Sequence, residues 1–132
     1  MGVYKSASTP AQIASIFVGA NDFLLGFTTT QCYSNLLSWV ALAKADGFNV
    51  LVITPISHIG TINGVTGDDY VADLAGKIIA GAAANGYTVV NAHGNANLGG
   101  VGAYANTTYF SDGIHPTQAG QDILASLFEA AI

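Results

Sequence analysis

The run Asn49-Val50-Leu51-Val52-Ile53-Thr54 constrains this chain most. It is apolar without interruption between polar ends, and Pro55 closes it off. A strand with one face in water alternates between apolar and polar residues. An unbroken apolar strand is covered on both faces, as in the middle of a parallel sheet. Parallel neighbours need crossover connections, so the segments on either side of this run should be helical. They are. From 31 to 45, Leu36, Leu37, Val40 and Ala43/Lys44 recur at helical spacing, with Thr28-Thr29-Thr30 available to cap the start and Gly47 to stop the end. From Asp68 or Asp69, placed to cap, to about Asn85, a second helix turns Val71, Leu74, Ala75, Ile78 and Ala82 inward, and Gly86 follows as its stop.

Two further apolar runs fit the same sheet: Ile-Ala-Ser-Ile-Phe-Val at 13–18 and the segment 87–91. A last helix opens at Pro116 or Thr117 and sets Ile123, Leu124, Leu127 and Phe128 on one face. The order is strand, helix, strand, helix, strand, long loop, helix. That alternation predicts an α/β domain of three layers, α/β/α, with a parallel sheet of about three strands. Residues 1–132 read as one domain, with 1–12 an irregular lead-in and 23–30, 56–67 and 92–111 as loops. Trp39, Phe48, Tyr87 and Phe128 are the expected core aromatics. Phe23, Phe27, Tyr104, Tyr109 and Phe110 fall in loops, where they either line a pocket or pack the loops themselves.

Composition narrows the partners. Charged residues are 8% of the chain, there is no arginine, and the net charge is −5. A nucleic-acid backbone or an anionic membrane is therefore not an expected partner. A surface so poor in charge suits a small neutral substrate, such as an ester or an acylated glycan, and equally suits self-association. No run is long enough for a membrane span. Cys32 is the single cysteine and sits in a helix, so a buried, inert thiol is expected. His58, His93, Asp112 and His115 lack the spacing of a metal site. Neither a metal nor another cofactor is expected.

In an open parallel sheet, ligands bind beyond the carboxyl ends of the strands. Two short motifs fall at that edge: Gly19-Ala20-Asn21-Asp22 after the first strand and Asp112-Gly113-Ile114-His115-Pro116 before the last helix. An imidazole acting as general base needs a partner on its second nitrogen, and Asp112 can fold back to His115 within one turn. Alone, the same residues read equally as a helix cap beside a surface histidine. The amide of Asn21 can donate to an oxyanion, and Gly19 permits a tight turn. Alone, that motif is also an ordinary turn.

Taken together, in this chain order, the two motifs resemble the third and fifth conserved blocks of the SGNH (GDSL-type) ester hydrolases. The stretch from residue 13 to 132 resembles the carboxyl-terminal two-thirds of such an enzyme. The resemblance implies a flavodoxin-like sheet and carboxyl-ester hydrolysis. It makes Asn21 an oxyanion donor, with Gly19 and Asp22 as its framework, His115 the general base and Asp112 its orienting acid. The family's nucleophilic serine belongs to a Gly-Asp-Ser block on an earlier strand, and no Gly-Asp-Ser occurs here.

Three other serines are candidates. Ser57 follows the second strand at the correct edge, and Ser111 neighbours Asp112. Ser6 is separated from residue 13 by too few residues for a parallel crossover. Gly67-Asp68-Asp69 imitates the missing block without a hydroxyl and reads as a helix start. The competing expectations are an ester hydrolase whose nucleophile comes from another segment, a partner chain or an unconventional serine, and a truncated, non-catalytic binding or assembly module. The family strand that would flank residues 13–18 is missing, so an exposed sheet edge and a homo-oligomer are expected. For compartment, the leaning is extracellular or periplasmic.

Overall fold

The computed structural model describes residues 12–132; the lead-in and Ser6 lie outside the described residues, apart from Gln12. Three parallel strands form the sheet: β1 (Ile13–Phe17), β2 (Asn49–Ile53) and β5 (Thr88–Val90), with β2 in the middle. The registers pair Ile13 with Asn49 and Phe17 with Ile53 on one side, and Leu51 with Thr88 and Ile53 with Val90 on the other. The central place of β2 follows from its composition: Val50, Leu51 and Val52 are all buried. The expected α/β architecture with a small parallel sheet is what the chain forms.

Helices α2 (Thr29–Ala45) and α3 (Gly67–Asn85) supply the crossovers. Their inward residues meet one face of the sheet in a core of Cys32, Leu36, Val40, Val50, Val52, Val71, Leu74 and Ile78. Thr28 caps α2 as a box: its hydroxyl accepts from the Gln31 amide at 3.1 Å, and Gln31 Oε1 accepts from the Thr28 amide at 2.8 Å. The opposite face carries a smaller core of Ile56, Ala92, Leu98 and Phe110, closed by Ile123, Leu124 and Leu127 of α5 (Gln118–Ala131).

Several expectations are corrected. The cap of α3 is Thr66, whose hydroxyl accepts from the Asp69 amide at 3.1 Å. Asp68 and Asp69 instead lie inside the first turn, where a carboxylate suits the helix dipole. The loop at 56–67 contains a hairpin, β3 (Thr61–Ile62) and β4 (Val65–Thr66), turning through Asn63 and Gly64, both at positive φ. The loop at 23–30 is shorter than expected, because α1 (Ala20–Leu24) forms directly after β1. The long loop contains α4 (Ala96–Gly99) and a single 3₁₀ turn (Ala103–Ala105).

Trp39 is no core residue; it is 60% exposed. The buried stripe of α2 runs through Cys32, Leu36 and Val40. Trp39 lies on the flank, beside a cavity it shares with Val18 and Leu42. Tyr87 is buried, while Phe48 is only partly so. Cys32 is buried as expected, and burial, reinforced by the nearby Asp22 charge, pushes its thiol up to about 12. Among the described residues no helix is long and apolar enough to cross a membrane.

Candidate active site

The site is built where β1, β2 and the β5–α5 loop end on the same edge. Directly after β1 the chain reverses at Gly19, with φ at +124°. A side chain there would be strained by the backbone, and its Cβ would sit 3.0 Å from Leu74 Cδ2. The turn is locked by Asp22, whose Oδ2 accepts from the Gly19 amide at 3.2 Å. Asn21 is held in the first turn of α1, exposed, and its side-chain amide has no partner among the described residues. It is available to a ligand.

The β5–α5 loop presents the second motif. An isolated antiparallel bridge, Phe110 to Pro116, pinches its base. Inside the pinch, Asp112 Oδ1 accepts from the backbone amides of Ile114 (2.9 Å) and His115 (2.7 Å), while Oδ2 accepts from His115 Nδ1 at 2.6 Å. The backbone hydrogen bond from His115, then the side-chain one, then that from Ile114 hold the Asp112 carboxyl down at about 2. It is ionised at any physiological pH. Because a carboxylate can only accept, Nδ1 of His115 carries a proton, and in the neutral ring the lone pair is on Nε2. The loop is fastened to the segment that follows β2 through Gly113, whose carbonyl accepts from the Ile59 amide at 3.0 Å. Gly113 is at φ +82°, and a Cβ there would press on Ile59 at 2.9 Å.

Both motifs line one cavity of about 320 Å³. Gly19, Asn21 and Asp22 form one wall, and Ile114, His115 and Pro116 another. Pro55, Ile56, Ser57 and His58 complete it from the end of β2, with Phe17 at the β1 side. The chain thus brings together Asn21 and His115, which lie far apart in sequence. It does not bring Tyr104, Tyr109 or Phe110 into this cavity. Phe110 and Phe23 are buried instead. Among the described residues no three of His, Cys, Asp or Glu gather as metal ligands would.

Neither serine near the site has a free hydroxyl. Ser57 is 1% exposed; its Oγ donates to Asp68 Oδ1 at 2.6 Å and accepts from the Tyr104 amide at 3.0 Å. Ser111 Oγ donates to the His115 carbonyl at 3.2 Å. Asp68, not singled out as a site residue by its sequence context, is a fastening point: it also accepts from the amides of His58 (3.3 Å) and Gly102 (2.7 Å). Its only sequence signal is the acidic pair at a helix start, which reads as a dipole effect. His58 Nδ1 donates to the Ile59 carbonyl at 2.6 Å, and its ring meets Phe23 edge-on, so the ring is packed into the cavity wall.

A carboxylate-held imidazole and a free carboxamide facing one cavity suit an acyl-transfer reaction: one takes a proton from a nucleophile, the other donates to the developing oxyanion. The family comparison agrees. A model of the GDSL-like Lipase/Acylhydrolase family matches residues 4–123. The chain belongs to this family. Its membership brings a general hydrolase function of the esterase type. No curated protein and no solved structure matches the chain.

Proposed function

We propose that this GDSL-family chain is the base-and-oxyanion part of a carboxyl-ester hydrolase, and that the attacking serine comes from polypeptide other than residues 12–132. One observation carries the reading: His115, held by Asp112, and Asn21 line the same cavity, while Ser57 and Ser111 are both engaged elsewhere. In the reaction, His115 Nε2 takes the hydroxyl proton as the serine oxygen bonds to the ester carbon. Asn21 donates to the carbonyl oxygen as it becomes negative. His115 then returns the proton to the departing alcohol, leaving an acyl-serine that water hydrolyses by the same route. Asp112 stays ionised throughout and stabilises the imidazolium. The cavity walls carry one carboxylate, Asp22, and no lysine, which favours an uncharged acyl group at the reacting centre over an anionic one.

The engaged hydroxyls also favour a second reading, a non-catalytic module that retains the cavity for binding. Fluorophosphonate labelling separates the two. Intact and peptide masses are read for the protein alone and for the protein mixed with candidate partners encoded nearby. A stoichiometric adduct that disappears in His115→Ala supports the hydrolase and names the serine. No adduct in any mixture, with the protein folded, leaves the binding module.

A further inference from the structure

A second cavity, of about 310 Å³, shares the short helix α1 with the first: Asn21 and Asp22 line one, Phe23 the other. It is bounded by the turn after α1, the β3–β4 hairpin and the start of α3. Three aromatic residues line it, Phe23, Phe27 and Tyr70, with Asp69 and Asp73 beside them. Phe23 and Tyr70 are buried, with ring centroids 5.2 Å apart, whereas Phe27 is 42% exposed at the rim. The chemistry of this lining differs from that of an ordinary apolar pocket.

The two carboxylates are not equivalent. Asp73 is already satisfied: it accepts from Thr29 Oγ1 and pairs with Lys77 Nζ at 2.9 Å, and these hydrogen bonds lower its pKa. Asp69 is exposed, and among the described residues its carboxylate accepts no hydrogen bond and meets no cation. The remaining lysine of the described residues, Lys44, is committed to the Asn85 carbonyl at 2.9 Å. The cavity therefore combines aromatic rings with one carboxylate that, among the described residues, no cationic side chain pairs. Aromatic faces attract cations, most strongly those whose hydration is weak. An anion would be repelled. A small, strongly hydrated metal ion would find too few oxygen ligands. The volume lies at the low end for organic ligands, so the guest is small.

We propose that this cavity binds a small, weakly hydrated organic cation of the quaternary ammonium class, with Phe23, Phe27 and Tyr70 as its aromatic surround and Asp69 as counter-charge. The assignment is independent of ester hydrolysis and of where the serine resides. It is tested by amide chemical-shift titration of the full chain with choline, and in parallel with dimethylbutanol, its neutral isostere in which carbon replaces nitrogen. Choline is expected to bind more tightly than the alcohol by about threefold to tenfold, with shifts centred on residues 25–29 and 62–73. Phe27→Leu keeps apolar bulk and removes the ring; Asp69→Asn removes only the charge. Each should reduce the preference for choline and leave binding of the alcohol unchanged. Equal affinity for the two ligands, absence of choline binding, or a preference untouched by both substitutions would each overturn the assignment.

Discussion

The two sides of the sheet are finished to different degrees. Beyond β5 the chain closes on itself: Val90, Ala92, Leu98 and Phe110 are almost wholly buried, and α5 seals the face. Beside β1 it stays open. Strand β1 pairs only with β2 among the described residues, Phe17 is 45% exposed, and Trp39 and Leu42 of α2 stand in water beside it. His115 hangs from the closed side and Asn21 from the open one. Under the proposed roles, the part that would handle the proton is a completed structure, while the side that carries Asn21 is the one with exposed apolar surface. That surface is where we propose that further polypeptide packs.

The largest test of this contrast is stability. Phe110→Ala on the closed side should cost about 3–5 kcal/mol in chemical denaturation, because it empties a packed site. Trp39→Ser on the open side should change the stability of the isolated chain by less than about 0.5 kcal/mol. Its effect should appear in assembly: the wild type is expected to be a homodimer or larger by light scattering at micromolar concentration, and Trp39→Ser shifts it towards monomer. Equal costs at the two positions would erase the distinction between the sides.

An intermediate effect is expected where the open side turns. Gly19→Ala forces a residue with a side chain to φ +124° and against Leu74, and should destabilise by about 1–3 kcal/mol. A neutral outcome would mean that the Asn21 turn is not held as described.

The smallest effect concerns pH. The folded pKa of Asp112 is depressed to about 2 from an ordinary 3.8. Its contribution to stability is therefore complete above about pH 4 and is lost as the pH falls through about 2. Carboxyl-carbon NMR should place its midpoint near 2. A midpoint at the ordinary value would show that the amides of Ile114 and His115 do not hold it.

Much of this was legible in residue order. The uninterrupted run at 50–53 announced a central strand, and the Leu36/Val40 and Leu74/Ile78 spacings announced helices that cover it. The placement of Asn21 and His115 on one cavity followed from both motifs ending strands or starting helices at one sheet edge. The hairpin was not read from the sequence: Asn63-Gly64 lies between apolar Ile62 and Val65, but its strands are so short that the stretch looks like loop. Other features had no local signal. Trp39 looks like core because tryptophan is apolar; its exposure depends on what lies across β1, which helical periodicity does not encode. The tying of Ser57 to Asp68 joins residues on different elements, and nothing in either neighbourhood names the other.

The Asp68 carboxylate has a dynamic consequence. It gathers the end of β2, through Ser57 and His58, and the loop after β5, through Gly102, and Ser57 passes the connection on to Tyr104. Segments so fastened cannot fray one at a time. Each would have to abandon a charged acceptor that the others share, so they open as a single cooperative unit or remain shut. The cavity walls at that end of the sheet consequently behave as one piece in local unfolding, and the turn that carries Asn21, whose lock is the local Asp22–Gly19 hydrogen bond, lies outside that unit.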